Sequence, residues 1–135
     1  MKVRMAGHIA RTGVTKEFKY SYSEEIIPFG AGVMRGTNKE TQCKLMNTGG
    51  QFLGVALFKQ TNSYDEQQWG NQTTPVILTR GFVYVQVSSP VVAGDKAACG
   101  EGGKFAKSTT ASYDDIEGVF ETSSETDGYA ILRLR

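Results

Sequence analysis

Short apolar runs with a period of two fill the second half of the chain. In residues 79–87, Val83, Val85 and Val87 fall on one face of an extended backbone, and the residues between them fall on the other. Residues 129–135 repeat this alternation, with Leu132 and Leu134 on one face and two arginines on the other. Because β-branched and aromatic residues at this period are typical of strands with one buried face, both segments are predicted strands.

Glycine-bearing stretches separate the apolar runs. They lie at residues 93–95, 100–103 and 127–128, and glycine suits the positive φ angles that tight hairpin turns need. No stretch sustains the 3.6-residue apolar period of an amphipathic helix. The pattern therefore predicts an all-β chain, folded as a single β-sandwich or barrel.

The N-terminal segment, residues 1–25, is predicted to be an extended arm that precedes a single β domain at residues 26–135. Phe18, Tyr20 and Tyr22 alternate with lysine and serine, so a strand with an aromatic face is expected there. Two roles are open for this strand. It closes the domain's own core, or it lies on a neighbouring molecule by strand addition.

The middle of the chain adds shorter elements. Pro28 and the nearby glycines indicate a short edge strand and a corner over residues 26–36, because proline cannot donate a hydrogen bond to a central ladder. Residues 43–46 and 51–58 are predicted strands, joined by a turn at residues 47–50.

A polar insertion between Phe58 and Val76 carries Tyr64 and the only tryptophan, Trp69. Long polar loops in compact domains are often functional or mobile. An aromatic plate among amide side chains suits sugars, so a carbohydrate-binding β-sandwich is the alternative function. The interpretation that we favour is that Trp69 anchors the loop to the core or to a neighbouring subunit.

Length and charge narrow the class of protein. A chain of 135 residues is expected to form one domain. A net charge of +1 with mixed acidic and basic residues argues against a general nucleic-acid binder. No apolar run approaches the roughly 20 residues that span a bilayer, and the N-terminus lacks the apolar region of a secretory signal. Cys43 and Cys99 are expected to be reduced, partly buried residues, which suits synthesis in a reducing cytoplasm.

Residues able to perform catalysis or bind ligands are few and scattered. His8 is the only histidine, and we expect it to face solvent or a partner rather than to serve a catalytic triad. The carboxylates of residues 114–127 are expected to be solvated. Residues 123–128 fail the spacing of a calcium loop and residues 100–104 that of a phosphate loop, so both are predicted hairpins. The sequence therefore predicts no enzyme, no catalytic or metal-binding residue and no cofactor.

The order of the motifs carries a resemblance to a known family. In sequence they are IPFGAGV, FLGVALF, TRGFVYVQV, AGDKAACGEGGKF, IEGVFETS and DGYAILRLR. In this order and spacing, over about residues 25–135, the chain resembles the structural cement proteins of tailed bacteriophages.

This resemblance implies a small β-barrel or jelly-roll-like protein that binds the outside of an assembled capsid. Such a protein sits between major capsid protein subunits, as a homodimer or homotrimer on a symmetry axis, and stabilises the shell. The protein would be made in the cytoplasm of the bacterial host and reside on the outer surface of the virion, with no direct nucleic-acid or membrane partner. We expect the N-terminal arm to contact a subunit or the capsid rather than to belong to the domain core. The expected interface residues are Phe18, Tyr20, Tyr22, Tyr64 and Trp69.

Overall fold

Strands dominate the computed structural model, which describes residues 6–11, 16–58 and 68–135. The only helix among these residues is one 3-10 turn at Glu101–Gly103, so the prediction of an all-β chain is confirmed. Within the same ranges, no helix is long and apolar enough to cross a membrane. The first six strands are β1 Glu17–Tyr20, β2 Tyr22–Ser23, β3 Ile27–Pro28, β4 Gly32–Arg35, β5 Gln42–Leu45 and β6 Phe52–Ala56. The others are β7 Gln68–Trp69, β8 Val76–Gln86, β9 Lys96–Gly100, β10 Lys104–Lys107, β11 Asp114–Phe120 and β12 Tyr129–Leu134.

One large sheet contains ten of these strands, in the order β10-β9-β11-β12-β8-β6-β4-β5-β2, with β1 paired to β8. Neighbours are antiparallel except β2 and β5, which are parallel. Strands β3 and β7 form a separate two-stranded sheet. The large sheet wraps over its own core, which gives the predicted jelly-roll-like sandwich.

Strand β8 belongs to both halves of the large sheet. Its first part pairs with β1 and β6, and its second part, from Gly81 onward, pairs with β12. Gly81 has φ +134°, a backbone angle that favours glycine over residues with a side chain. A strand interrupted by such a residue can bend from one set of neighbours to another.

The segment β1–Ser21–β2 closes the half of the sheet that is made of β8, β6, β4 and β5. Its first strand pairs with β8 at one end of this half, and its second strand pairs with β5 at the other end. Only Ser21 separates the two pairings. Of the two roles open for the aromatic strand, the structure shows pairing within the same chain. We call residues 17–23 the closing strand.

Two apolar clusters fill the interior. The larger contains the inward faces of β8 and β12, where Val83, Val85, Leu132 and Leu134 are all at most 3% exposed. The strand register predicted for both segments is therefore confirmed. The smaller cluster lies inside the half closed by residues 17–23 and includes Ile27 and Trp69.

The predicted turns are also found. The hairpin between β9 and β10 pairs Gly100 with Lys104 and carries two residues of positive φ, Gly102 and Gly103. Gly94 has φ +97° and Asp127 has φ +62°, so the turns at residues 93–95 and 127–128 use the left-handed backbone that was expected.

One strand differs from the sequence prediction. A short strand was expected around Pro28, and β3 is that strand, but the prediction of a corner or edge is wrong for β4. This strand lies inside the sheet, between β5 and β6. Pro28 lies four residues before β4. Its missing N–H therefore does not affect the hydrogen bonds that β4 makes with β5 and β6. Gly32 enters the sheet at a crowded place, since a Cβ there would collide with the Cys99 sulfur and lie 3.1 Å from the Phe105 ring.

A candidate contact surface on the closing strand

Three aromatic side chains point outward along the closing strand. Phe18 is 43% exposed, Tyr20 is 68% exposed and Tyr22 is 43% exposed. They alternate with Lys19 and Ser21, so they share one face of the extended backbone. We call these three residues the aromatic stripe.

Small serines occupy the inward face of the same strand. Ser21 is 3% exposed and its hydroxyl donates a hydrogen bond to the Thr41 carbonyl at 3.1 Å. Ser23 is fully buried, and its hydroxyl donates to the Gly70 carbonyl at 2.8 Å and accepts from the Thr73 N–H at 3.0 Å. Each buried hydroxyl thus has partners, as buried polar groups require.

The closing strand therefore has the reverse of the usual polarity, with serines inside and aromatic rings outside. A ring left in water forgoes the roughly 1.5–3 kcal/mol that burying a large apolar side chain contributes. Contiguous exposed apolar groups rimmed by polar residues mark interaction surfaces, and tyrosine is enriched in such surfaces. The aromatic stripe is the best candidate contact surface among the described residues.

Charged side chains flank the stripe. Glu17 and Arg80 form an exposed ion pair at 3.5 Å across β1 and β8. Lys19 lies between Phe18 and Tyr20 and is half-buried. The Thr79 hydroxyl donates to the Glu17 carbonyl at 3.1 Å, which adds a second link between β1 and β8.

The described residues before the closing strand also bind the chain's own sheet. The N–H of Gly7 donates to the Tyr84 carbonyl at 2.8 Å, and the N–H of Tyr84 donates to the His8 carbonyl at 2.9 Å. The His8 ring stacks on Phe58 with centroids 4.1 Å apart. His8 is thus partly covered by the chain itself, and residues 7–10 form a short ladder along β8.

Trp69 lies in the smaller core cluster at 8% exposure. Its indole N–H donates to the Leu57 carbonyl at 2.9 Å, and its ring meets Phe29 edge-on at 6.2 Å. A sugar-stacking plate needs an exposed ring face, which Trp69 does not offer. Of the two anchoring roles that we favoured, to the core or to a neighbouring subunit, the structure has the first. Trp69 was also expected to be an interface residue, but its ring is almost wholly covered by its own chain. Tyr64 lies outside the described residues.

Trp69→Ala is expected to destabilise the fold rather than to remove a binding site. The substitution empties part of the smaller cluster and leaves the Leu57 carbonyl without its donor, at a cost of about 3–5 kcal/mol. Urea unfolding followed by circular dichroism measures the loss. Trp69→Phe is the matched control, because it keeps most of the ring volume and removes the indole N–H that donates to the Leu57 carbonyl. Equal stability of Trp69→Ala and the parent would contradict the anchoring role.

The two cysteines are buried and free, as expected. Burial is the main cause that raises the pKa of Cys43, assisted by the nearby Glu24 charge and opposed by its hydrogen bond to Ser21. Burial likewise raises the pKa of Cys99 to about 12, with the Asp114 charge adding to the shift. Both thiols stay protonated at neutral pH and act as small apolar residues.

Several carboxylates of residues 95–121 have structural partners. Asp114 accepts a hydrogen bond from the Gly49 N–H, and Asp95 accepts one from the Val92 N–H at 2.9 Å. Glu121 pairs with Arg133 at 3.2 Å. Their charges hold turns and neighbouring strands together, so the expectation of simple solvation, which was made for residues 114–127, is incomplete for Asp114 and Glu121.

Outside the stripe, Ile26, Phe58 and Val92 are the other exposed large apolar residues of the described ranges, and Ile26 and Val92 were not singled out from the sequence. Ile26 is 48% exposed beside the buried Ile27, and Val92 is 63% exposed beside Val91, which is 2% exposed. The sequence could have indicated them, because adjacent residues of an extended chain face opposite ways. Only one residue of the pair Ile26–Ile27, and one of the pair Val91–Val92, can point inward.

A protein-family model matches this sequence over its whole length. The model described as "Structural cement protein (E217 gp24/Pam3 gp6)" matches residues 1–135, the whole chain. A solved structure described as the capsid of Myoviridae phage XM1 is similar with a TM-score of 0.77 and 14% identity, covering 99% of this chain and 92% of that chain. The head fiber gp8.5 N base of bacteriophage phi29 is similar with a TM-score of 0.60 and 10% identity, covering 90% of this chain and 95% of that chain. No curated protein matches the sequence. At these identities the two solved structures establish a shared fold.

Proposed function

Because this chain belongs to the structural cement protein family of bacteriophages, we propose that it binds the outer surface of the phage head between major capsid protein subunits. In that position it stabilises the shell by joining neighbouring subunits. Its role in the virion capsid is that of a cement or decoration protein. The placement on the outer surface and the contact between subunits are the proposal.

The reversed polarity of the closing strand carries this proposal. A clamp needs no acid, base or metal, but it needs a rigid domain with an adhesive surface. The all-β core supplies the rigid domain, and the aromatic stripe supplies contact area with few rotatable bonds to immobilise. Many weak contacts repeated over a shell gain strength because each additional one is effectively intramolecular.

The division of the chain at residue 25 is part of the proposal. Among the described residues, every apolar residue buried in the two clusters lies between residues 27 and 134. The preceding segment contributes only the partly buried Ile9 to them. Residues 7–10 and 17–23 pair with the chain's own sheet, but they add little to its apolar core. We therefore assign residues 1–25 to contacts with the capsid or with another copy, and residues 26–135 to the β domain.

The partners follow from the same assignment. They are the major capsid protein and further copies of this chain, as a homodimer or homotrimer on a symmetry axis. A net charge of +1 gives little general attraction to the phosphate backbone, so we propose no direct nucleic-acid partner. We also propose no membrane partner and no enzymatic activity. We further propose synthesis in the host cytoplasm, where Cys43 and Cys99 stay reduced.

The direct test is co-sedimentation of the purified protein with empty heads of the phage that encodes it, followed by cryo-electron reconstruction. We expect retention on the heads and added density on the outer surface, where major capsid protein subunits meet. Density inside the head, or no retention at saturating protein, would overturn the proposal.

Replacing the stripe with serine, in Phe18→Ser/Tyr20→Ser/Tyr22→Ser, is expected to weaken head binding by about tenfold or more, since aromatic contacts dominate interface energetics. The melting temperature should fall by only a few degrees, because none of the three side chains belongs to either buried cluster and each is at least 43% exposed. Co-sedimentation and differential scanning calorimetry on the same preparation measure both effects.

Val92→Ser is the control for this variant, because Val92 is an exposed apolar residue away from the closing strand. It should bind heads like the parent protein. If the triple variant also binds like the parent, the stripe is not the contact surface.

A further inference from the structure

We propose that the free edge of β1 pairs antiparallel with β1 of a second copy, in the register that places Phe18 opposite Phe18 of the partner subunit. This inference rests on the proposed cement role for one condition only, that copies lie close together on the shell. That the pairing strand is β1 of a second copy, and the register and symmetry of the pair, follow from the residues of β1 itself.

One edge of β1 is available for pairing. Its backbone pairs with β8 along one edge, and among residues 6–11, 16–58 and 68–135 no backbone hydrogen bond reaches the other edge. Three of its four residues are exposed. An exposed edge strand is a ready template for another strand, and proteins normally shield it with prolines, bulges or a covering segment. The pairing of β1 with β8 has one register shift, between Glu17 and Phe18, but its extra residue is Thr79 of β8, so β1 itself keeps its alternation.

The charges of β1 select the register. With Phe18 at the centre of an antiparallel pair, Glu17 lies opposite Lys19 of the partner subunit, and Lys19 lies opposite the partner's Glu17. Two such opposite-charge pairs flank the aromatic pair, and directly opposed residues are those that interact most strongly across strands. Moving the centre to Lys19 would instead oppose two lysines, which is destabilising.

The faces of the strand agree with this register. Opposed residues in an antiparallel pair share a face, so the Phe18 pair extends the aromatic stripe of each copy into one continuous surface. Glu17 and Lys19 lie on the opposite face. Glu17 already pairs with Arg80 at 3.5 Å, but both side chains are more than half exposed and have room for a second partner.

Identical strands that pair antiparallel are related by a two-fold axis, so the assembly is a dimer with the same patch on both copies. The contact is small. The four residues of β1 span about 13 Å. A contact of this length buries much less surface than the roughly 800 Å² per partner of a stable interface. The dimer is therefore weak in dilute solution and forms on the shell, where neighbouring copies have a high effective concentration.

Cysteine cross-linking tests the register. Phe18→Cys places two thiols opposite each other, with Cα atoms about 4.5–5.5 Å apart, inside the range that a disulfide accepts. Tyr20→Cys is the matched control, because its two copies would lie about 13 Å apart in this register. The native Cys43 and Cys99 are fully buried and do not compete in the folded protein.

Both variants are oxidised with copper phenanthroline, free and bound to heads, and read on non-reducing gels. We expect Phe18→Cys to give at least about tenfold more covalent dimer than Tyr20→Cys, although Tyr20 is the more exposed position. Equal yields, a higher yield from Tyr20→Cys, or no dimer from either would overturn the pairing.

Charge exchange gives a second test that does not depend on cysteine. Glu17→Lys opposes two lysines and Lys19→Glu opposes two glutamates, so each variant alone should dimerise about threefold to tenfold more weakly than the parent. An equimolar mixture of the two variants should dimerise like the parent, because opposite charges face each other again. Each Glu17→Lys chain lacks the Glu17–Arg80 ion pair and each Lys19→Glu chain keeps it, whether pure or mixed, so mixing leaves this ion pair unchanged. A mixture as weak as its components would contradict the register.

Failure of this inference is distinguishable from failure of the proposed function. Head retention of the unmodified protein reports the cement role, whereas cross-linking and charge exchange report the β1 pairing. Retention without either dimer signal would leave the cement role in place and remove the pairing. Dimer signals without head binding would support the β1 pairing and remove the cement role.

Discussion

Leu132→Asp is expected to prevent folding. Leu132 is fully buried in the larger cluster and lies between Val83 of β8 and Phe120 of β11 in the sheet. A carboxylate there has no partner, and burying an unpaired charge costs more than about 5 kcal/mol. Since the total stability of a domain is about 5–15 kcal/mol, the variant should be insoluble or lack a cooperative thermal transition.

The neighbouring position provides the control. Ile131 lies on the other face of β12 and is half-buried, so a carboxylate at residue 131 can reach water. Ile131→Asp should remain soluble and melt cooperatively, at a lower temperature than the parent. If Leu132→Asp melts like Ile131→Asp, the inward register of β12 is wrong.

Gly54→Ala is expected to be the most damaging of the conservative substitutions. Gly54 lies in β6 between β4 and β8, and a Cβ there would collide with the Leu78 carbonyl oxygen and lie 2.7 Å from the Ile77 side chain. The obstacle is backbone in a central ladder, so the strands must separate. The expected loss is about 3 kcal/mol or more, or roughly 10 °C in melting temperature.

Gly70→Ala serves as the comparison for Gly54→Ala. The nearest atom to a Cβ at residue 70 is the Thr73 methyl carbon at 3.4 Å, which is an ordinary contact. Its melting temperature should stay within a few degrees of the parent. Similar values for both variants, measured by differential scanning calorimetry, would show that β6 and β8 do not approach as closely as described.

Local pattern was sufficient for the strands that bury one face. In β8 and β12 the apolar face is fixed by a period of two, and a shift of one residue would expose every buried side chain. The hairpins at Gly94 and Gly102 were predictable for a similar reason, since a positive φ is a property of the residue itself. Neither inference needs to know which strands pair.

The role of Trp69 could not be decided from its local sequence. Its loop is polar and long, and its neighbours in sequence are amides, so both a binding plate and a core anchor fitted the pattern. The choice depended on the Leu57 carbonyl and Phe29, which lie 12 and 40 residues away in the chain. No periodicity within the loop encodes these contacts.

The aromatic strand was recognised from the sequence, and the family resemblance led us to expect its rings at an interface, but the alternation alone left both faces open. Ordinary patterning would place Phe18, Tyr20 and Tyr22 inside. The structure buries Ser21 and Ser23 instead, because the carbonyls of Thr41 and Gly70 line the inner side and accept their hydroxyl hydrogen bonds.

The sequence by itself determined the all-β class, the inward faces of β8 and β12 and the turns between strands, because each depends on alternation or on a single residue's backbone preference. Only the tertiary structure decided the place of β4 inside the sheet, the burial of Trp69 and the outward aromatic face of the closing strand. Those features depend on which distant backbone groups meet each residue, and a strand with two possible faces turns toward the neighbours that satisfy its polar groups.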